Sequence, residues 1–289
     1  MMHDGRTGTV LLGLDDTAHS WLTADWAATE TELRGGTLRV VHAVHGITGA
    51  ELELVSEGAD QQVLDAAATV LDDARARLAA AHPGLRIETV PARDHPAEAL
   101  LTAAEDADML VVGTRGRGGF AGLLLGSVSL KVAAHATSPV IVVRGHTERT
   151  ADGGIVVGVR DEHDEEAVRF ALAEADLLRA PVRLIHAWAP PMPAGLMIPQ
   201  VSEVDAERQV HARVLNHAAR PVAEYPQVHV DTELAVGSPA AVLVETSADA
   251  RLLVLPRHPP AGRLGLRLGS VVHAVLHHAS CPVAVVPVG

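Results

Sequence analysis

Lysine, aromatic residues and cysteine are nearly missing from this chain, and each shortage narrows what it does. Lys131 is the only lysine among 289 residues, so the positive charges are almost all arginine. Phe, Trp and Tyr make up 2% of the chain, which leaves Ala, Val and Leu to build the cores. The single cysteine, Cys281, excludes an intrachain disulfide framework and suits a reducing compartment. Surplus positive charge is lacking too, with a formal net charge of −13. General affinity for nucleic acid or for an anionic membrane surface is therefore not expected, because both need an excess of cations. An anionic small molecule at one locally positive site remains open. No apolar run reaches the roughly eighteen residues of a membrane span. The opening stretch MMHDGRTGTVLLGLDD lacks a basic segment leading into a signal-length apolar core. The expected location is cytoplasmic.

What is present is a globular composition, 48% hydrophobic and 20% charged, and it is written twice. LLLGSVSLKVAAHATSPVIVVR (123–144) returns as LRLGSVVHAVLHHASCPVAVVP (266–287), with Gly126 and Gly269 separated by 143 residues. TVLLGLDD (9–16) returns as IVVGVRDE (155–162), with Gly13 and Gly158 separated by 145. LRVVHAV (38–44) matches VRLIHAW (182–188), and HPAEALL (95–101) matches SPAAVLV (238–244). So long a period is not that of a solenoid unit, which cannot stand alone. It predicts two domains, 1–145 and 153–289, joined within the polar stretch RGHTERTADGG (144–154).

Each copy alternates strand and helix. In the first, short apolar runs at 9–14, 38–44, 87–90, 109–112 and 140–143 predict buried strands. Leu64, Ala67, Leu71, Ala74 and Leu78 share one helical face, and further helices fit 20–33, 96–105 and 127–136. The expected fold is α/β: two tandem Rossmann-like domains, each a five-stranded mostly parallel sheet with helices on both faces. Ligands of such folds bind beyond the carboxyl ends of the strands, where strand order reverses.

At that edge, after the fourth strand, lies VVGTRGRGGFAGLLLGSVS (111–129), with glycines at 113, 116, 118, 119, 122 and 126. Three phosphate-binding patterns compete for it. A Walker A loop fails, because Ser127 and not lysine follows Gly126. Gly116, Gly118 and Ala121 satisfy G-x-G-x-x-A, but that fingerprint belongs to the first strand–helix turn with an acid about twenty residues on. No acid occurs here between 116 and Glu148. The third pattern is longer: Gly113, two residues, Gly116, nine residues, Gly126, Ser127. Gly113 and Gly116 would turn the chain off the strand and present N–H groups inward. Gly126, Ser127 and Val128 would open a helix whose free N–H groups and positive dipole end favour an anion. Ser127 and Ser129 would add hydroxyl donors, and Arg115 and Arg117 would partly neutralise a triphosphate. The plainer reading is a tight surface turn with Ser127 as a helix cap.

The longer spacing resembles the G-2x-G-9x-G-[S/T] nucleotide motif of the universal stress protein family. LLGLDDT resembles that family's opening strand and acidic turn, RDHPAEAL its GxPAxxL element, and SPVIVV its closing strand. The family's usual glycine before Pro-Ala is Asp94 here. The resemblance implies an adenine nucleotide, expected to be ATP with or without Mg²⁺, bound by a stress-response regulator. It implies that Asp15 accepts hydrogen bonds from the ribose and that the chain around Ala43 lines the adenine. It also implies pairing of two such domains through their last strands, here 139–143 and 282–286 within one chain. A homodimer and an unidentified protein partner are further expectations.

The second copy lacks the motif. Gly113 becomes Pro256, Gly116 becomes Pro259 and Asp15 becomes Arg160, while Gly269 and Ser270 survive. Proline has no N–H to donate, so nucleotide is expected in the first domain only. His273, His277 and His278 include a pair four residues apart, but no further ligand completes a metal set. His42 and His186 recur at the end of strand two, which predicts a shared packing role. DEHDEE (161–166) is expected to be a solvated helix start. No G-x-S-x-G elbow, Ser/His/Asp order or two-metal carboxylate pair stands out. The chain is expected not to be an enzyme, beyond slow ATP hydrolysis at most. The rival readings are an ATP-hydrolysing enzyme and an interaction scaffold that binds no nucleotide.

Overall fold

The structure is a computed structural model that describes residues 8–15, 17–44, 59–114, 125–144, 153–189, 201–259 and 268–289. The chain divides into two compact units, Met1–Arg144 and Gly145–Gly289.

In the first unit the strands are β1 (Thr9–Gly13), β2 (Thr37–Val44), β3 (Arg86–Arg93), β4 (Met109–Gly113) and β5 (Val140–Val143). They lie in the order β3-β2-β1-β4-β5, and each neighbouring pair is parallel. The helices are α1 (Ala18–Arg34), α2 (Ala59–Ala81), α3 (Pro96–Ala103) and α4 (Ser127–His135). Right-handed crossovers on this strand order put α1 and α2 on one face and α3 and α4 on the other. The contacts of α1 with α2 and of α3 with α4 agree. Buried on both faces, β1, β4 and β5 are runs of Val, Leu and Ile without alternation. On α2, Ala67, Leu71, Ala74 and Leu78 are buried, as their spacing predicts, while Leu64 on the same face is half-buried.

The second unit repeats the order as β10-β9-β6-β7-β8. Its strands are β6 (Ile155–Gly158), β7 (Val182–Trp188), β8 (Val230–Val236), β9 (Leu252–Arg257) and β10 (Val283–Pro287). Its helices are α5 (Glu165–Leu178), α6 (Val201–Ala218), α7 (Pro239–Thr246) and α8 (Ser270–His278), with a short 3-10 helix at Arg220–Glu224.

Two repeated sequence features have packing explanations. Pro96 and Pro239 each occupy the first helical position, where a missing N–H costs nothing. One turn on, Leu100 and Leu243 press on the glycines that end β1 and β6. A Cβ on Gly13 would lie 2.8 Å from Leu100 Cδ1, and one on Gly158 would lie 2.8 Å from Leu243 Cδ1. The shared Pro-Ala-x-x-Leu element therefore seats a helix on the sheet. The units part at the end of their first helix. Gly35 caps α1 in the left-handed region at φ 61°, whereas Arg179 holds the same conformation after α5 at φ 51°.

Candidate functional site

Strand order reverses between β1 and β4, so a crevice opens beyond their carboxyl ends. Leu14, just past β1, donates its N–H to Val41 O at 3.0 Å. Its own carbonyl accepts from Nδ1 of the buried His42 at 2.8 Å, which fixes that ring nitrogen as the protonated one. This pair of bonds holds the backbone that carries Asp15. The shared histidine role predicted from the repeat is thus a specific one, since His186 Nδ1 contacts Val159 O at 2.9 Å in the second unit.

Asp15 stands at the crevice, half-buried, and one of its oxygens is already engaged. Oδ1 accepts from Thr17 N at 3.1 Å, from Thr17 Oγ1 at 2.6 Å and from Ser20 Oγ. The carboxylate therefore anchors the start of α1, whose N-cap Thr17 makes no side-chain cap of its own.

The other wall is the start of α4. Gly126 is its N-cap with extended backbone, φ −76° and ψ 153°, and no side-chain cap bond. Gly126 N donates to Thr114 O at 2.7 Å, and Ser129 Oγ donates to Gly113 O at 2.6 Å. Both bonds pin the helix start to the end of β4. The amides of Ser127, Val128 and Ser129 belong to the first turn, which has no intrahelical acceptors. Ala43 lies near the end of β2, paired with Ala92. Arg115, Gly116 and Arg117 lie outside the described residues.

Gly113 is the last residue of β4, in register with Val143, and the chain bends away from the strand at Thr114. Two local expectations need correction. Ser129 is buried, and its hydroxyl goes to Gly113 O, so its contribution to an anion is confined to its N–H. Ser127 is not the cap either; it is the first residue inside the helix and its side chain is exposed. At the opposite rim, Asp94 Oδ1 accepts from the N–H of His95 at 2.6 Å.

A family model described as the universal stress protein family matches residues 7–144 and 154–287. The chain belongs to the universal stress protein family. A universal stress protein of Mycolicibacterium smegmatis is 29% identical, with 96% of each chain covered. One of Mycobacterium tuberculosis is 31% identical over 96% of this chain and 95% of its own. A crystal structure of a universal stress protein from Archaeoglobus fulgidus shares the fold, with a TM-score of 0.69 at 18% identity, covering 98% of this chain and 97% of that one.

In this universal stress protein the equivalent crevice of the second unit is built differently. Arg160 follows β6 where Asp15 follows β1, and its side chain is exposed. Pro256 is buried within β9, in register with Val286. Near the end of β7, His186 Nε2 lies 2.8 Å from His211 Nδ1, and the His211 ring stacks on Trp188 at 4.8 Å. Burial pushes the His186 imidazole below its ordinary pKa, the bond to Val159 O opposes this, and neighbouring His211 adds to the lowering.

The stretch 161–166 is not simply a solvated helix start. Asp164 is completely buried, and its Oδ2 accepts from Arg160 N at 2.5 Å and Asp161 N at 3.0 Å. Its Oδ1 faces His258 Nε2 at 2.8 Å. The repeat alignment puts 160–164 just past β6 and 257–258 at the end of the neighbouring strand β9. That juxtaposition was the available signal. No helix among the described residues is long and apolar enough to cross a membrane.

Proposed function

We propose that this chain is an adenine-nucleotide-binding regulator that holds one nucleotide, taken as ATP, in its first unit. The start of α4 carries this reading. Its Gly126 cap makes no side-chain cap bond, and two hydrogen bonds fix that end against β4 at the reversal of strand order. Such an end supplies N–H donors and a positive dipole to phosphate. Ser127 Oγ adds a donor, Asp15 offers the ribose its second carboxylate oxygen, and Ala43 borders the base. Arg115, Gly116 and Arg117 complete the phosphate side through the glycine motif. Mg²⁺ fits the phosphates as a counter-ion.

The second unit serves as a structural partner. Arg160 replaces the ribose acceptor, Pro256 removes a backbone donor, and the stacked Trp188 and His211 rings crowd the end of β7. The protein acts by binding rather than by catalysis. The engagement of Asp15 Oδ1 by Thr17 and Ser20 favours one alternative, a scaffold in which Asp15 is only a helix anchor.

The test is the stoichiometry of nucleotide in protein purified without additions, denatured, and analysed by mass spectrometry. One adenine nucleotide per chain supports the reading and names the ligand. Two per chain overturns the assignment to one unit. None, with no uptake of millimolar ATP and Mg²⁺, supports the scaffold.

A further inference from the structure

The second unit's crevice holds a constellation that its structural role leaves unexplained. Asp161 and Asp164 lie between β6 and α5, His258 just past β9, and one ligand atom from each lies within 4.8 Å of the others. The fully buried Asp164 gives one oxygen, Oδ2, to two backbone amides. Oδ1 has no hydrogen bond, and neither has Nε2 of His258, although the two atoms are 2.8 Å apart. Their alignment is too poor for an N–H···O bond. A protonated histidine placed there as a simple ion-pair partner would aim its proton at the carboxylate. Two misaligned atoms this close instead match adjacent ligands of one cation, because metal–ligand bonds of about 2.0–2.2 Å place neighbouring ligand atoms roughly 3 Å apart.

We propose that Asp161, Asp164 and His258 bind a divalent transition-metal cation of the zinc or manganese class. The imidazole nitrogen suits zinc, and the two carboxylates suit manganese as well. Three protein ligands leave positions open for water at the mouth of the crevice. The two amides on Asp164 Oδ2 orient the carboxylate so that Oδ1 points at the ion, as outer hydrogen bonds do in metal sites. Arg160 Nε lies 3.9 Å from Asp161 Oδ2, beyond hydrogen-bond distance, and its side chain is 66% exposed to water. The ion ties the start of α5 to the end of β9, closing across the β6–β9 strand pair the crevice that phosphate would enter in a nucleotide-binding unit. This inference does not depend on nucleotide binding in the first unit.

The test uses the full chain, stripped with chelator and free of nucleotide, titrated with Zn²⁺ against a chromophoric chelator. The expected result is one tight zinc per chain. H258Q and D161N each weaken it by at least about tenfold, as loss of a ligand exceeds loss of an outer partner. The control H273Q/H277Q removes a close histidine pair on α8, whose rings are 4.6 Å apart, and leaves the affinity unchanged. Co²⁺ gives a second readout independent of stability, a visible absorption band that wild type shows and D161N loses. No zinc uptake by wild type at about 100 μM, or equal uptake by wild type, H258Q and D161N, overturns the proposal.

Discussion

Ser127 and Ser129 are two residues apart at the start of α4, yet the structure gives them opposite duties, and S127A and S129A separate these cleanly. Ser129 is buried, and its hydroxyl holds Gly113 O at 2.6 Å. S129A removes that bond at a net cost of about 1 kcal/mol, and a loss of that size lowers the melting midpoint of a unit this large by roughly 2–4 °C. Ser127 is exposed and makes no cap bond. S127A therefore changes nucleotide-free stability by less than about 0.5 kcal/mol. If its hydroxyl meets phosphate, the lost hydrogen bond to a charged group is worth about 1.5–3 kcal/mol, or roughly 10- to 100-fold in affinity. Thermal melts without nucleotide and calorimetric titration with ATP measure both. A melting midpoint lowered by S127A, as loss of a cap would lower it, refutes these separate roles. So does S129A that leaves stability intact together with S127A that leaves affinity intact.

Other consequences are as specific. R179G relieves a left-handed backbone at φ 51° that Gly35 occupies in the first unit; it stabilises the protein by about 1 kcal/mol in denaturant titration, and no gain would show that the arginine side chain compensates. G158A brings a Cβ to 2.8 Å from both Leu243 Cδ1 and Leu255 Cδ2; it destabilises by about 1–3 kcal/mol through overpacking, and adding L243A reduces that penalty if the clash is the cause. His186 is buried and its folded pKa lies below 6.5, so its neutral state stabilises the fold above pH 6.5. That contribution is lost as pH falls through the folded value, because the unfolded chain binds the proton more readily. H186Q should flatten the stability profile on the acid side of pH 6.5, and an unchanged profile would assign the acid sensitivity elsewhere. Glu98 and Glu224 have pKa values lowered below 4.5 by Lys131 and Arg169 respectively. Both stabilise at neutral pH and lose that effect as pH falls through their folded values; K131M should therefore reduce acid sensitivity below about pH 4.5, and an unchanged melt would remove the pair from the account.

The sequence by itself determined the architecture. Runs such as MLVV (109–112) and VIVV (140–143) have no polar side to offer water, so they form strands covered on both faces. The duplicated pattern separated two units and located the crevice of each. It also carried the glycine spacing on which the family likeness rests. Only the tertiary structure decided what individual polar residues do there. Ser129, Asp15, His42 and Asp164 look like free donors and acceptors in a string of letters. Their partners are Gly113, Ser20, Leu14 and Arg160, and the bonds of Ser129 and His42 join segments 16 and 28 residues apart. Periodicity reports which face of an element is apolar, a property summed over many residues. A hydrogen bond depends on the placement of two atoms to within a few tenths of an ångström. The pairing of Asp164 with His258, 94 residues on, has no periodic signature at all and arises because parallel strands β6 and β9 end side by side.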